Sequence, residues 1–495
     1  MPSVTVPGPD GTSITTTYNN TVGNSVAQQI ANALAMASQA GSLNIVSVNG
    51  SATPPPPTTT PGVLNELVLV SVTGGQITIP SGPAGTPGYV VVVDSAQPET
   101  ITGGPNTTIV GGSGNVTVID PATIVVSDVS ISVPGGNDIL SLTAADAGAI
   151  AIGNSGNDTI AALGFAQSID GGAGTNVLFA FGTSDTVSAQ GTHDTIAGGS
   201  LGGGVVINTG SGAAIFAGTG GLAVFDAGAL NTIVGSSGAL GATDFGSDNL
   251  LVGRTGTVVA TDFGSNNTVA AGTGAMTVSA AGNNLVVYGG TGGLQFVDGA
   301  GSSTILAAAG GTNTVSLAGG NVLVAVQPNA MVTVGGGPGA ATLYGGAGTD
   351  ITLQNTAGSI LYAAGFGNET LNGAGAKVGN QLFGGLDPSG TNSIVGGKGN
   401  DTLAAGSGSD TLVGNGTNNL FVFFHANGGA APQDFVGGLQ GNDLVVLSGY
   451  GTAAASIALS GATSSGGNTT ITLADNTKIT FLGVSSASGI HLASN

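Results

Sequence analysis

Between residues 158 and 419 a carboxylate or amide side chain stands again and again just before a short apolar burst. Instances include Asp158-Thr-Ile, Asn176-Val-Leu, Asp185-Thr-Val, Asp194-Thr-Ile, Asn392-Ser-Ile, Asp401-Thr-Leu, Asp410-Thr-Leu and Asn419-Leu-Phe. The spacing is nine residues through 176–194 and again through 392–419. Oxygens delivered at one point of each successive turn suit two tasks. They accept hydrogen bonds from backbone N–H groups of the turn. Alternatively they join carbonyl oxygens around a hard cation such as calcium, which takes roughly six to eight oxygens at about 2.3–2.6 Å. The acids of this chain are turn acids: 22 are Asp and 3 are Glu.

Other chemistry is poorly supplied. There is no Cys, so thiol nucleophiles, disulfides and Cys-based zinc sites are absent. Lyase-type reactions on a β-helix need a base and a cation that stabilises developing charge. The chain offers His193, His425 and His491 with four scattered cations, Arg254, Lys377, Lys398 and Lys478. The expectation is a protein that is not an enzyme. A formal charge of −21 excludes nucleic acid as a partner and disfavours anionic membrane surfaces. No run approaches the ~18 apolar residues of a membrane span. The opening "MPSVTVPGPDG" lacks the basic and apolar regions of a signal peptide.

The elements that position the recurrent side chains follow from the period. Gly is 93 of 495 residues, and Val, Ile, Leu and Phe fall in bursts between Gly-rich turns. A fixed repeat of nine predicts a parallel β-solenoid, in which two units of turn and strand close one coil of ~18 residues. Each coil leaves its strand edges open until the next stacks about 4.8 Å further on. Residues 158–419 leave room for about fourteen coils, a rod of roughly 65–70 Å. Outside the repeat, residues 1–50 read as a small strand-and-helix module. "TVGNSVAQQIANALAMASQAG" has apolar residues at i+4 steps, Asn24 or Ser25 as N-cap and Gly41 as C-cap. "SATPPPPTTTPG" (51–62) reads as a stiff linker that tethers this module at a distance. Residues 63–150 are a β-rich lead-in, 151–423 the nonapeptide solenoid, and 424–495 a C-terminal β cap. In the cap, "TTITLADNTKITF" suggests a hairpin turning at Asp475-Asn476.

"GGAGTDITL" (345–353) and "GGKGNDTLA" (396–404) read as the G-G-x-G-x-D-x-U-x nonapeptide, and "AGSGSDTLV" (405–413) and "GNSGNDTIA" (153–161) come close. This pattern resembles the hemolysin-type calcium-binding repeat of RTX proteins, most specifically across 345–423 and fairly at 153–197. The resemblance implies an RTX-like β-roll, Ca2+ as cofactor, and export by type I secretion machinery on an uncleaved C-terminal signal within 424–495. Because successive nonapeptides face opposite edges, the two side chains serving one ion lie 18 apart. The expected metal pairs are Asp401 with Asn419, Asn392 with Asp410, Asp158 with Asn176 and then Asp194, and Asp350 with Glu369 after one residue of slip. Most pairs match an acid with an amide, so few and weak sites are expected. From 200 to 340 the turns lose most of their Asp, and Asp244, Asp248 and Asp262 read as loop caps.

The surface composition points to building material. Gly, Ala, Ser, Thr and Asn dominate, without the Lys and Glu that keep proteins apart. Open solenoid ends invite head-to-tail stacking, and a contact that does not close gives fibres or sheets. RTX-type repeats occur in bacterial surface-layer and biofilm proteins, so the resemblance implies a secreted, self-assembling fibre or surface layer at the cell surface. Residues 1–50 would dock on a neighbouring subunit. The alternative is a calcium-dependent carbohydrate- or ice-binding adhesin using Thr and Asn rows on a flat face.

Overall fold

The computed structural model describes residues 3–17, 21–49, 51–70, 74–80, 88–95, 97–102, 107–111, 115–119, 130–132, 136–142, 147–199, 201–299, 301–425 and 431–495. The chain forms two compact units, Met1–Thr257 and Val258–Asn495. Each is an all-β parallel β-solenoid, as the nonapeptide period predicts.

Unit 1 opens with an antiparallel hairpin of β1 (Ser3–Pro7) and β2 (Ser13–Thr17), followed by α1 (Thr21–Gln39). The parallel ladder begins at β3 (Leu43–Asn49), which pairs with β4 (Leu64–Val70) from Leu43↔Leu64 to Asn49↔Val70. A second sheet starts at β5 (Gly75–Thr78), and β6 (Tyr89–Asp94) returns to pair with β4. From there the chain alternates between two parallel sheets. Thr159 pairs with Val177 and Val177 with Thr195, one coil of 18 residues each time. Strand residues alternate between the two faces of each sheet, so every second one stacks inward. Leu140, Ile160, Leu178, Ile196, Ile215, Ile233 and Leu251 form one continuous buried column. Each such side chain contributes about 1.5–3 kcal/mol when buried, but a coil supplies only a few of them. A coil is therefore stable only between neighbours.

The N-terminal module lies on this ladder. Ile30, Ala31 and Leu34 of α1, with Val6 and Ile14 of the hairpin, cover Val68, Val92 and Val110 on the outer face of the first coils. Gly41 closes α1 as expected, at φ +65° with Ser42 N–H donating to Ala37 O at 2.8 Å. The helix starts at Thr21, ahead of the expected caps Asn24 and Ser25. Residues 51–62 also differ from the free tether expected of them. Tyr89 Oη donates to Pro55 O at 2.9 Å, Thr58 N–H donates to Asn65 Oδ1 at 2.8 Å, and Asn65 Nδ2 donates back to Thr58 O at 3.1 Å. Prolines cannot donate to a ladder, so the segment runs as an unpaired arc that completes the coil between β3 and β4.

Unit 2 repeats the two-sheet pattern. Val269, Val287, Ile305, Val324, Leu343, Tyr362, Leu382, Leu403, Phe421 and Val445 form its inner column. The strands Asn468–Thr472 and Lys478–Phe481 form the anticipated hairpin around Asp475 and Asn476, the latter at φ +67°. Lys478–Phe481 then pairs in parallel with Gln433–Gly437, bringing Phe481 into the buried end of the unit. A short helix, α2 (Ala454–Ser460), was not legible in the sequence.

Candidate metal sites at the turns

The recurrent acids and amides sit at the strand-entry corner of each coil, and nearly all are buried. Asp158, Asp194, Asp401 and Asn419 are each 1% exposed, and Asn176 and Asp410 are 0% exposed. They face inward because each stands two residues before an inward apolar residue. Every one lies in a ladder that runs from coil to coil. Asp158 N–H donates to Asn176 Oδ1 at 2.9 Å, and Asn176 N–H donates to Asp194 Oδ1 at 2.7 Å. Asn392 N–H reaches Asp410 Oδ1 at 3.0 Å, and Asp401 N–H reaches Asn419 Oδ1 at 3.0 Å. The structure thus brings together the expected groups 158/176/194, 392/410 and 401/419.

Asp350 and Glu369 are not brought together. Asp350 is exposed and pairs in register with Thr370, while Thr349 takes the buried corner position. The cause lies in the strand. In 396–404 the inward residue is Leu403, two after Asp401, whereas in 345–353 the inward residues are Ile351 and Leu353, one and three after Asp350. With a period of two, that single step turns Asp350 outward. Glu369 instead joins the 392/410 ladder, its N–H donating to Asn392 Oδ1 at 3.2 Å. Its carboxylate accepts from Tyr362 Oη at 2.7 Å and from Gly365 N–H at 2.8 Å.

Sequence reasoning missed four members of these ladders. Asp138 N–H donates to Asp158 Oδ1 at 2.8 Å, and Asn380 N–H donates to Asp401 Oδ1 at 2.9 Å. Asp434 accepts from Asp410 N–H at 2.9 Å, and Asp443 from Asn419 N–H at 2.7 Å. Their spacings are 20 to 24 residues, because the turns between them are longer, so a search at 18 passes over them. The usable signal was the buried apolar residue two positions on: Leu140, Leu382, Val436 and Val445. Two of these additions create direct Asp–Asp neighbours, Asp138 with Asp158 and Asp410 with Asp434.

The carboxylates carry the chemistry. In each ladder Oδ1 is used by the neighbouring coil, but Oδ2 of Asp138, Asp158 and Asp401 is buried without a hydrogen-bond partner. A Cβ on Gly153 would fall on Asp158 Oδ2, and one on Gly396 on Asp401 Oδ2, so glycine keeps these corners open. Backbone carbonyls line the same corners: the carbonyl of Gly136 faces Gly156, and that of Gly156 faces Gly174. Unpaired carboxylate oxygens in a dry corner of carbonyls fit a hard cation. Among the described residues no cluster of three or more His, Cys, Asp or Glu could hold a metal, so a cation here would draw many of its ligands from the backbone. Burial pushes the Asp158 carboxyl up to about 7 and that of Asp434 up to about 7. Asp138 rises to about 8, by burial first and by the charge of Asp158 second, against a hydrogen bond from Val116. Asp194, Asp401 and Asp410 are also raised by burial. Bound calcium would favour the ionised form that burial disfavours.

The turns at 226–231, 244–249 and 262–267 solve the same corner differently. Asp226, Asp244 and Asp262 stand five residues before Asn231, Asn249 and Asn267, where Gly153 stands five before Asp158. Each Asn Nδ2 donates to the Asp of its own turn, at 2.9, 3.0 and 2.7 Å. Each Asp also accepts from a Gly N–H two residues on, at 3.0, 2.7 and 2.9 Å. These acids are the loop caps that the sequence suggests for Asp244 and Asp262. At Asp226 and Asp244 the amide supplies what an ion would otherwise supply, while Asp262 Oδ2 stays buried without a partner.

The model of the RTX calcium-binding nonapeptide repeat matches four copies in this chain, at residues 152–187 and 389–421. Two of the unpaired turn carboxylates, Asp158 and Asp401, lie in these stretches, whereas Asp138, Asp262 and Asp298 and the segment 345–353 lie outside them. No curated protein matches the chain. The chain carries hemolysin-type RTX repeats, and Ca2+ is the ligand of such repeats.

Proposed function

We propose that this RTX-repeat chain is a secreted, non-enzymatic structural protein that self-assembles into an extracellular fibre or surface layer of a biofilm matrix, with calcium fastening a subset of its turns. One observation supports the reading above others. Among the described strands of the second sheet the outer face carries no charged side chain, in a chain with net charge −21. In unit 1 it presents Thr159, Val177, Thr195, Ala214, Thr232 and Leu250 beside Ala161, Phe179, Ala197, Phe216, Val234 and Val252. In unit 2 one column presents Tyr288, Leu306, Ala325, Tyr344, Ala363 and Phe383 in turn, with Tyr288 and Tyr344 half-exposed. Uncharged flat faces favour association with copies of themselves. The hairpin and α1 of residues 1–50, which in the single chain cover its own first coils, would supply a further contact by docking on a neighbour instead, and type I machinery would export the chain. Electron microscopy of purified protein with millimolar calcium and with EGTA tests the reading. Ordered polymer in calcium that disperses in EGTA supports it; monomer under both conditions contradicts it.

A second reading, a calcium-dependent carbohydrate- or ice-binding adhesin, is favoured by a shallow cleft of about 300 Å³ in unit 2. Asn284, Ser302, Thr304, Asn321 and Thr342 give it hydroxyl and amide groups beside Val286 and Leu323. Retention on immobilised glycans, or inhibition of ice recrystallisation, by the monomer would move the assignment there.

A further inference from the structure

Glu66 occupies a position that no turn ladder explains. On β4 it precedes Leu67, which points inward in a column with Val91 and Ile109, so Glu66 points outward. Its register neighbours are Ile45 on β3 and Val90 on β6. Both belong to the apolar cluster that α1 and the β1–β2 hairpin cover. Glu66 is 0% exposed beneath this cover, and neither carboxylate oxygen has a hydrogen-bond partner.

Among the described residues no opposite charge reaches it. The sequences of α1, β1, β2 and β3 contain no titratable side chain. The acids nearby in sequence are Asp94, at the exposed end of β6, and Asp10, in the one-turn helix Pro9–Gly11. All four cations of the chain lie beyond residue 250. The column under the cover runs through Val68, Val92 and Val110 and continues as Ser132, Ile152 and Asp170. An apolar face with one unpaired carboxyl at its centre is a poor permanent interface, since an ionised carboxylate there has no compensation.

We propose that the β1–β2 hairpin and α1 form a pH-gated cover, docked on the strip of Ile45, Val68, Val90, Val92 and Val110 while Glu66 is protonated and released when Glu66 ionises. The covalent link is short, Ala40–Ser42 around Gly41, and release leaves the pairing of β3 with β4 intact. Burial pushes the Glu66 carboxyl from 4.5 up to about 7. The sign follows from linkage: the docked state holds the proton more tightly, so docking is fully favoured below about pH 4.5. It weakens about tenfold per pH unit up to about 7 and is flat above that, a few hundredfold in total.

The inference goes beyond self-assembly and is read on the single chain in calcium. With no native Cys, spin labels at Met36→Cys and Gln97→Cys, both exposed, report the separation of cover and sheet. The wild-type background is expected to give one short distance at pH 5 and a long, broad distribution at pH 8.5. Glu66→Gln and Glu66→Val are expected to hold the short distance at both. A wild-type distribution that does not change with pH overturns the proposal. So do neutral variants that open as the wild type does, or that are open at both pH values.

Discussion

Asn231 Nδ2 donates to Asp226 Oδ1 at 2.9 Å within one turn, whereas Asp158 Oδ2, at the corner that Asn231 occupies in its own coil, has no partner. The two turns place their single charge at opposite ends of a six-residue segment. At Asp226 and Asp244 an amide answers the acid; at Asp158 and Asp401 a glycine five residues earlier leaves Oδ2 for a cation. At Asp185, Asp194 and Asp410 that position is Ala and Oδ2 accepts from a backbone N–H.

Calcium dependence should therefore be uneven along the chain. Hydrogen exchange in EGTA is expected to loosen strands next to the 153–158, 171–176 and 396–410 turns by at least tenfold while leaving 222–252 protected. Uniform loosening would contradict this.

Asp158→Asn and Asp401→Asn should act with opposite sign in the two conditions. Each removes an ionisable group whose Oδ2 is buried without a partner, so stability in EGTA rises or holds. In calcium each variant loses about 1–3 kcal/mol relative to wild type, the scale of one charge-assisted interaction. Thermal melts of both variants with and without calcium check the crossover. The converse change, Asn231→Asp, sets two carboxyls side by side and should cost about 3 kcal/mol in EGTA, with partial recovery in calcium.

Gly174→Ala tests the glycine corners without touching a charge. Gly174 has φ +123°, and an added Cβ would meet the carbonyl of Gly156. A loss of more than about 2 kcal/mol is expected in both calcium and EGTA. A neutral outcome would mean that the corner is wider than its backbone indicates.

The pH dependence of the metal-free protein follows from Asp138 at about 8 and Asp158 and Asp434 at about 7, against an ordinary 3.8. Raised values mean that the folded state holds protons the unfolded chain gives up. The contribution is complete below about pH 4 and is lost as pH climbs through 7 to 8. The melting temperature in EGTA should fall between pH 5 and 8. In calcium the slope should flatten or reverse, because the ion favours the ionised carboxylates. A rising melting temperature in EGTA would contradict the burial of these groups.

Much of this was legible in the sequence. The period of nine, Gly41, Asp475-Asn476 and the ladders 158/176/194 and 401/419 follow from turn chemistry and alternation, which act within a few residues. Asp350 was misplaced because the motif fixes residue types but not strand parity, and one apolar step reverses the face. Asp138, Asp434 and Asp443 were missed because ladder partners are set by stacking, which tolerates turns of unequal length. Glu66 was invisible for another reason: only the docked α1 makes an outward strand position a buried one.

Crystals grown in calcium and measured for anomalous scattering test the placement of charge most directly. The account predicts ion peaks at the corners of Asp158 and Asp401, and none at Asp226–Asn231 or Asp244–Asn249. Empty corners at 158 and 401, or ions bound between Asp226 and Asn231, would contradict it.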